Sequence, residues 1–140
     1  MSLKVLPNRE HTFNISVKGM ETGQLWEGNF TYRKPNLGAK SEIQKTKARL
    51  NGDLKYLDED TLLLHEMWAT FKHTIIECPE WFRKSAFGYD FDDVNVLTEV
   101  YKECVKFEND WQKKVWTPED EVKKEEEPPK TSKEVLTKKK

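Results

Sequence analysis

Apolar and polar residues alternate with period two over the first third of the chain. Residues 11–19, HTFNISVKG, place every second residue, from Phe13 to Val17, on one apolar side. After the loop GMETGQ, residues 25–34 alternate again, with Trp26, Phe30 and Tyr32 on one side. This period predicts two half-buried strands that form a β-hairpin. Because a hairpin alone is marginal in water, its apolar face needs a covering layer.

Helical spacing begins after Pro35. Residues 38–52, GAKSEIQKTKARLNG, have a thin apolar stripe and end at a glycine suited to a helix C-cap. Residues 57–79, LDEDTLLLHEMWATFKHTIIECP, predict a helix that Asp58 caps and Pro79 ends. Residues 80–90, EWFRKSAFGYD, read as a connector. Residues 90–114 predict another strong helix, with an apolar stripe of Leu97, Val100, Tyr101, Cys104, Phe107 and Trp111.

The predicted fold class is therefore α+β, mainly α, with an N-terminal β-hairpin followed by about three helices. Residues 117–140, TPEDEVKKEEEPPKTSKEVLTKKK, are charged and proline-containing, which predicts a disordered C-terminal tail. The predicted organisation is an N-terminal arm over 1–9, a hairpin-plus-helical domain over 10–116, and the tail.

Charge is nearly balanced overall but segregated along the chain. The net charge is −1, which removes the main general argument for nucleic-acid binding, a large basic excess. Residues 33–55 carry seven basic against two acidic residues, and residues 58–110 carry thirteen acidic against five basic. We expect the basic helix to pack beside the acidic ones, or to meet an acidic neighbour in an assembly. The predicted basic surface comprises Arg33, Lys34, Lys40, Lys45, Lys47 and Arg49.

Residue patterns for catalysis are weak. HEMWA at 65–69 begins like a zinc-protease helix, but Ala69 stands where a second ligand is needed, and His73 is two turns from His65. Both histidines are expected at the solvent edge. The acidic cluster of Asp90, Asp92 and Asp93 precedes a helix and is expected to cap it. The sequence predicts no enzyme, no metal and no cofactor.

The cysteines and the length of the apolar runs support two further expectations. Cys78 and Cys104 lie on separate predicted elements and are expected to be buried free thiols. No apolar run approaches the roughly 20 residues that span a bilayer, so no membrane partner and a cytoplasmic location are expected.

The stretch GQLWEGNFTYRKPNLG, residues 23–38, raises two alternatives. Its aromatic residues beside Arg33 and Lys34 resemble a base-stacking platform. Such folds need further strands, and no other segment reads as one, which argues against nucleic acid. The aromatics must then cover the helices or bind a partner, and these two readings stay open. The predicted partner-binding residues are Trp26, Phe30, Tyr32, Trp81, Phe82 and Trp111.

Several motifs follow in order over residues 11–112: the short first strand, GQLWEGNFTYRKPNLG leading into a basic helix, YLDEDTLLLHEMWATFKHTIIECPEWF, the Asp-rich segment and VLTEVYKECVKFENDW. This series resembles the tail assembly chaperones of long-tailed phages, small proteins encoded between the tail-tube and tape-measure genes. The resemblance implies a mostly helical protein, often a homo-oligomer, that is absent from the finished virion.

The resemblance also implies a mechanism. Such chaperones bind the hydrophobic, helical tape-measure protein and recruit tail-tube subunits in the host cytoplasm. Many are also made in a longer, frameshifted form, and the terminal TKKK could be encoded by a slippery run. Two other hypotheses stay open: a structural minor virion protein of the tail or head-joining region, and a small nucleic-acid-binding regulator.

Overall fold

In the computed structural model, which describes residues 5–52 and 56–116, the two alternating segments pair as an antiparallel β-hairpin. Strand β1 spans Glu10–Lys18 and strand β2 spans Leu25–Arg33. Their register sets Phe13 opposite Phe30 and Val17 opposite Trp26. Since directly opposed residues share one face of a sheet, Phe13, Phe30, Val17 and Trp26 fall on the same side, whereas Leu25, opposite Lys18, falls on the other. The hairpin and its register follow from the period-two pattern.

The other face of the hairpin is polar except for Leu25. Its cross-strand pairs are joined by side-chain hydrogen bonds that match donor to acceptor along the two strands. The distances are 2.9 Å for Thr12–Thr31, 2.9 Å for Asn14–Asn29 and 3.0 Å for Ser16–Glu27. This face presents no aromatic ring.

A third strand extends the sheet, which the sequence did not predict. Strand β3, Ile75–Glu77, pairs antiparallel with β2 to give the order β1-β2-β3. The preceding helix accordingly ends at Thr74 and not at the predicted Pro79. Two consecutive β-branched isoleucines favour extended backbone, and β2 offers them an edge with which to pair.

Two helices of the predicted kind follow the hairpin and pack against each other. Helix α1 spans Leu37–Asn51; the Asn36 side chain accepts a hydrogen bond from the Ala39 amide at 2.9 Å, and Gly52 ends the helix at φ 61°. Helix α2 spans Glu59–Thr74, and Asp58 caps it by accepting from the Thr61 amide at 2.7 Å. The predicted Asp58 cap and Gly52 C-cap are confirmed.

The predicted connector contains a short helix. Helix α3 spans Glu80–Lys84 and helix α4 spans Val94–Trp116. Between them, Ala86, Phe87 and Gly88 all have positive φ, at 55°, 57° and 98°. A Cβ on Gly88 would lie 2.8 Å from Leu97, so the turn also needs the small residue there.

The core lies between the apolar face of the sheet and helices α2, α3 and α4. Its buried residues are Phe13, Ile15, Phe30, Tyr32, Met67, Phe71, Ile75, Phe82, Val96, Leu97, Val100 and Cys104. The predicted stripe on the last helix is confirmed at Leu97, Val100 and Cys104. An α+β fold, mainly α, with an N-terminal hairpin followed by helices is therefore observed.

The described chain divides into two units, residues 8–108 and a second unit whose described residues are 5–7 and 109–116. In the second unit, the Trp111 indole donates to the Pro7 carbonyl at 3.2 Å. The predicted bounds of 1–9 and 10–116 stay predictions, and the predicted tail over 117–140 lies outside the described residues. Within the described ranges, no helix combines the length and apolarity required to cross a bilayer.

Candidate functional site

The predicted partner-binding aromatics lie mainly in the core. Phe30, Tyr32 and Phe82 are each at most 1 % exposed. Phe30 packs edge-on against Phe82 with ring centroids 4.9 Å apart. The expectation that these three side chains form a partner surface is therefore corrected, because helices α2, α3 and α4 cover the aromatic face of the hairpin. The alternative, that they fill the core under the hairpin, matches their positions.

The predicted tryptophans are held by hydrogen bonds as well as packing. Trp26 and Trp81 are half-buried, and their rings are 4.9 Å apart. The Trp81 indole donates to the Glu27 carbonyl at 2.9 Å, and the Trp26 indole donates to Asp93 at 2.9 Å. Trp111 is buried as well. None of these three rings is a free, exposed anchor.

The predicted basic surface is divided among separate contacts. Lys34 is buried, and burial lowers the pKa of its ammonium group, with Lys40 nearby adding to the effect. Arg33 pairs with Glu10 at 3.6 Å, Lys45 with Glu42 at 3.4 Å and Lys47 with Glu66 at 2.5 Å. Lys40 and Arg49 are exposed. The structure thus pairs three of the six basic residues with glutamates and buries a fourth, Lys34.

The Lys47–Glu66 salt bridge joins the basic segment of the chain to the acidic one. Lys47 lies on α1 and Glu66 on α2, and the two helices pack together. The basic helix therefore packs beside an acidic one, which was the first of the two arrangements expected.

The two histidines of α2 bond to α1. His65 is buried and its Nδ1 lies 2.6 Å from Asn51 Oδ1, while His73 Nε2 lies 2.8 Å from Thr46 Oγ1. The expected solvent-edge position is corrected for His65, because the side of α2 that carries it packs on α1. In the part of the chain that the structure describes, no three His, Cys, Asp or Glu side chains are grouped to hold a metal ion.

An open groove lies between α1 and α4, and we call it the α1–α4 groove. Its volume is about 210 Å³. Tyr32 and the α2 residues Glu66 and Thr70 also line it. The lining contributed by α1 and α4 comprises Lys40, Ile43, Gln44, Tyr101, Cys104, Val105 and Glu108.

Two phenol–carboxylate pairs organise the groove. The Tyr32 hydroxyl donates to Glu108 Oε2 at 2.5 Å, and the Tyr101 hydroxyl donates to Glu66 Oε2 at 3.4 Å. Burial, then the Glu108 hydrogen bond, raises the pKa of Tyr32. Burial, then the charge of Glu66, raises the pKa of Tyr101 to about 12. Both phenols therefore remain protonated donors at neutral pH.

The thiols offer little nucleophilic chemistry. Cys104 is a buried free thiol, as predicted, and burial followed by the charge of Glu108 raises its pKa. Cys78 is a free thiol that is half-buried, and burial raises its pKa too. Since the thiolate is the reactive form, neither cysteine is activated.

Sequence reasoning missed the role of Asp93, whose side chain accepts four hydrogen bonds. Asp93 was expected to cap a helix; instead its fully buried carboxylate accepts from the amides of Glu21 and Thr22 at 2.7 and 3.0 Å. It also accepts from the Thr22 hydroxyl at 2.6 Å and from Trp26. Burial opposes ionisation, but the hydrogen bonds from Thr22, Trp26 and Glu21 outweigh it and lower the pKa of Asp93 to about 2. No local signal identifies partners so distant in the chain.

No protein-family model, no curated protein and no solved structure matches this chain. A functional proposal therefore depends on the sequence and structure of the chain alone.

Proposed function

We propose that this protein is a non-enzymatic phage tail assembly chaperone that binds the helices of the tape-measure protein and assists tail-tube assembly in the host cytoplasm. The observation that carries the proposal is the ordered series of motifs over residues 11–112. A mainly helical fold with an N-terminal hairpin is consistent with the class of protein that the series resembles.

The α1–α4 groove is the surface that we assign to the tape-measure helix. It is open, and Val105 on its α4 side is 40 % exposed. Leu62, which is 43 % exposed, lies one turn before Glu66 on the same side of α2. Apolar positions bordered by polar ones are typical of grooves that accept an amphipathic helix. The carboxylate of Glu108, which forms no salt bridge in the described ranges, favours a helix that brings lysine or arginine to the groove.

Co-expression with the tape-measure protein encoded downstream tests the proposal. We expect the wild-type chain to bring the tape-measure protein into the soluble fraction and to co-purify with it. Val105→Asp places a charge in the groove and should remove most of this effect. Val94→Asp is the matched control, because Val94 is 49 % exposed at the start of the same helix and does not line the groove.

Two results would contradict the proposal. The first is an insoluble tape-measure protein in the presence of well-expressed wild-type chain. The second is stoichiometric recovery of the protein from purified particles, which would identify a minor virion component instead. Salt-sensitive binding to single-stranded DNA would support the nucleic-acid hypothesis, although the outer face of the sheet carries no aromatic ring on which bases could stack.

A further inference from the structure

A second cavity, of about 320 Å³, lies between α1, α2 and the turn that follows α3. Proteins bind small organic ligands in cavities of about this size or larger. We call it the turn cavity. Its lining is mostly apolar and includes Leu50, Trp68, Ala86 and Phe87, with Arg49 and Lys72 as its cationic members.

The charged residues that line the turn cavity are both cationic. Arg49 comes from α1 and Lys72 from α2, and neither forms a salt bridge with a carboxylate in the described ranges. No described acidic residue lines the cavity. The neighbouring basic residues of α1, Lys45 and Lys47, are by contrast paired with glutamates. His73 Nε2 lies 2.8 Å from the hydroxyl of Thr46, which lines the cavity. Burial, then the positive charge of Lys72 and that of Arg49, lowers the pKa of His73, while Glu42 opposes this shift.

Trp68, which lines the turn cavity, carries a hydrogen-bond donor without an acceptor among the described residues. The indole nitrogen of Trp68 is buried and has no hydrogen-bond acceptor within the part of the chain described. A buried donor without an acceptor is unusual and calls for a partner. The Tyr89 ring, which also lines the cavity, packs edge-on against Trp68 with ring centroids 5.0 Å apart and is 59 % exposed.

The turn at one side of the cavity is strained. Ala86 and Phe87 both occupy the left-handed region, at φ 55° and 57°, which residues with a Cβ rarely adopt. Such conformations are concentrated at ligand sites, where the surrounding structure holds them. Both strained residues line the turn cavity.

We propose that the turn cavity binds a small amphipathic carboxylic acid. Its apolar chain would lie against Leu50, Trp68 and Phe87, and its carboxylate would pair with Arg49 and Lys72. An uncharged apolar molecule would leave both cations without a carboxylate, and a cationic one would be repelled. This site shares no lining residue with the α1–α4 groove, so it stands or falls independently of the proposed chaperone function.

Calorimetric titration of the full chain with octanoate, 1-octanol and acetate tests the ligand class. We expect octanoate to bind saturably, one molecule per chain, and at least tenfold more tightly than either of the others. Equal binding of octanoate and 1-octanol, or no saturable octanoate binding, would overturn the proposal. Raising the salt concentration should weaken octanoate binding and leave 1-octanol unaffected, and this comparison needs no variant.

Substitutions then locate the site. Combining Arg49→Gln with Lys72→Gln should weaken octanoate binding at least fivefold, whereas the charge-matched control, Lys45→Gln with Lys102→Gln, should not change it. The Trp68 indole N–H resonance, assigned with Trp68→Phe, should move on adding octanoate to the wild-type chain. Binding that leaves this resonance unmoved, or that survives the Arg49 and Lys72 substitutions, would overturn the assignment to the turn cavity.

Discussion

The indole nitrogen of Trp26 donates to the carboxylate of Asp93 at 2.9 Å, across 67 residues of chain. The same carboxylate accepts two amides and a hydroxyl from Glu21 and Thr22 in the loop between β1 and β2. The start of α4 is therefore tied to the tip of the hairpin. Gly19 is part of this arrangement, because a Cβ at that position would lie 2.1 Å from the Asp93 carboxylate.

Replacing Asp93 should destabilise the fold strongly. Asp93→Ala leaves four donors without their acceptor, and we expect it to lower the Tm by about 10 °C or more in thermal unfolding followed by circular dichroism. Asp92→Ala is the matched control, because its neighbouring side chain is exposed, and it should shift the Tm very little. Equal shifts in the two variants would show that the hydrogen bonds to Asp93 contribute nothing specific.

The lowered pKa of Asp93 predicts that the folded protein loses stability in acid. Its pKa is about 2 in the folded chain, below the ordinary value of 3.8, so the stabilisation is present in full above pH 3.8. As the pH falls from 3.8 towards 2, the unfolded chain binds the proton first and the stabilisation is lost. Urea unfolding at pH 5, 4, 3 and 2 should show the stability gap between wild type and Asp93→Asn narrowing with acid. A gap that stays constant would contradict this pKa.

The groove phenols should differ in their contribution to stability. Tyr32 is fully buried and bonds Glu108 at 2.5 Å, whereas Tyr101 bonds Glu66 at only 3.4 Å. We expect Tyr32→Phe to lower the free energy of unfolding by about 1–3 kcal/mol, because Glu108 loses its donor. Tyr101→Phe should cost less than about 1 kcal/mol, because a hydrogen bond at that distance is weak. Urea unfolding monitored by tryptophan fluorescence measures both, and a larger loss for Tyr101→Phe would reverse the assigned roles.

Relieving the strained turn should stabilise the protein. Ala86→Gly removes the Cβ penalty at φ 55° and should raise the free energy of unfolding by about 0.5–1 kcal/mol, net of the added entropy of the unfolded chain. Ala39→Gly, in the first turn of α1, provides a contrast of the opposite sign, with an expected loss of about 0.5–1 kcal/mol. If Ala86→Gly were as destabilising as Ala39→Gly in urea unfolding, the left-handed conformation at Ala86 would not be strained.

Local pattern was sufficient to predict the hairpin, the Asp58 cap and the buried stripe of α4, since each depends on residues close together in sequence. Strand β3 was missed because Ile75 and Ile76 continue the apolar pattern of α2, and only the edge of β2 draws them into a sheet. Helix α3 is five residues long, too short to show a helical period.

The functional surface was harder to predict than the fold. Alternation places Phe30 and Tyr32 on one face of the hairpin but does not say what covers that face, and here the helices do. Asp93 could not be assigned for a similar reason, because its partners in residues 21–26 come close only after folding. The α1–α4 groove likewise gathers side chains from three helices and a strand.

The central claim is that the α1–α4 groove binds the tape-measure protein, and calorimetric titration of the purified chain with a soluble helical tape-measure segment tests it most directly. We predict saturable binding by the wild type and by Val94→Asp, and binding weakened at least tenfold by Val105→Asp. No binding by the folded wild-type chain, or equal affinities for the two aspartate variants, would contradict the claim.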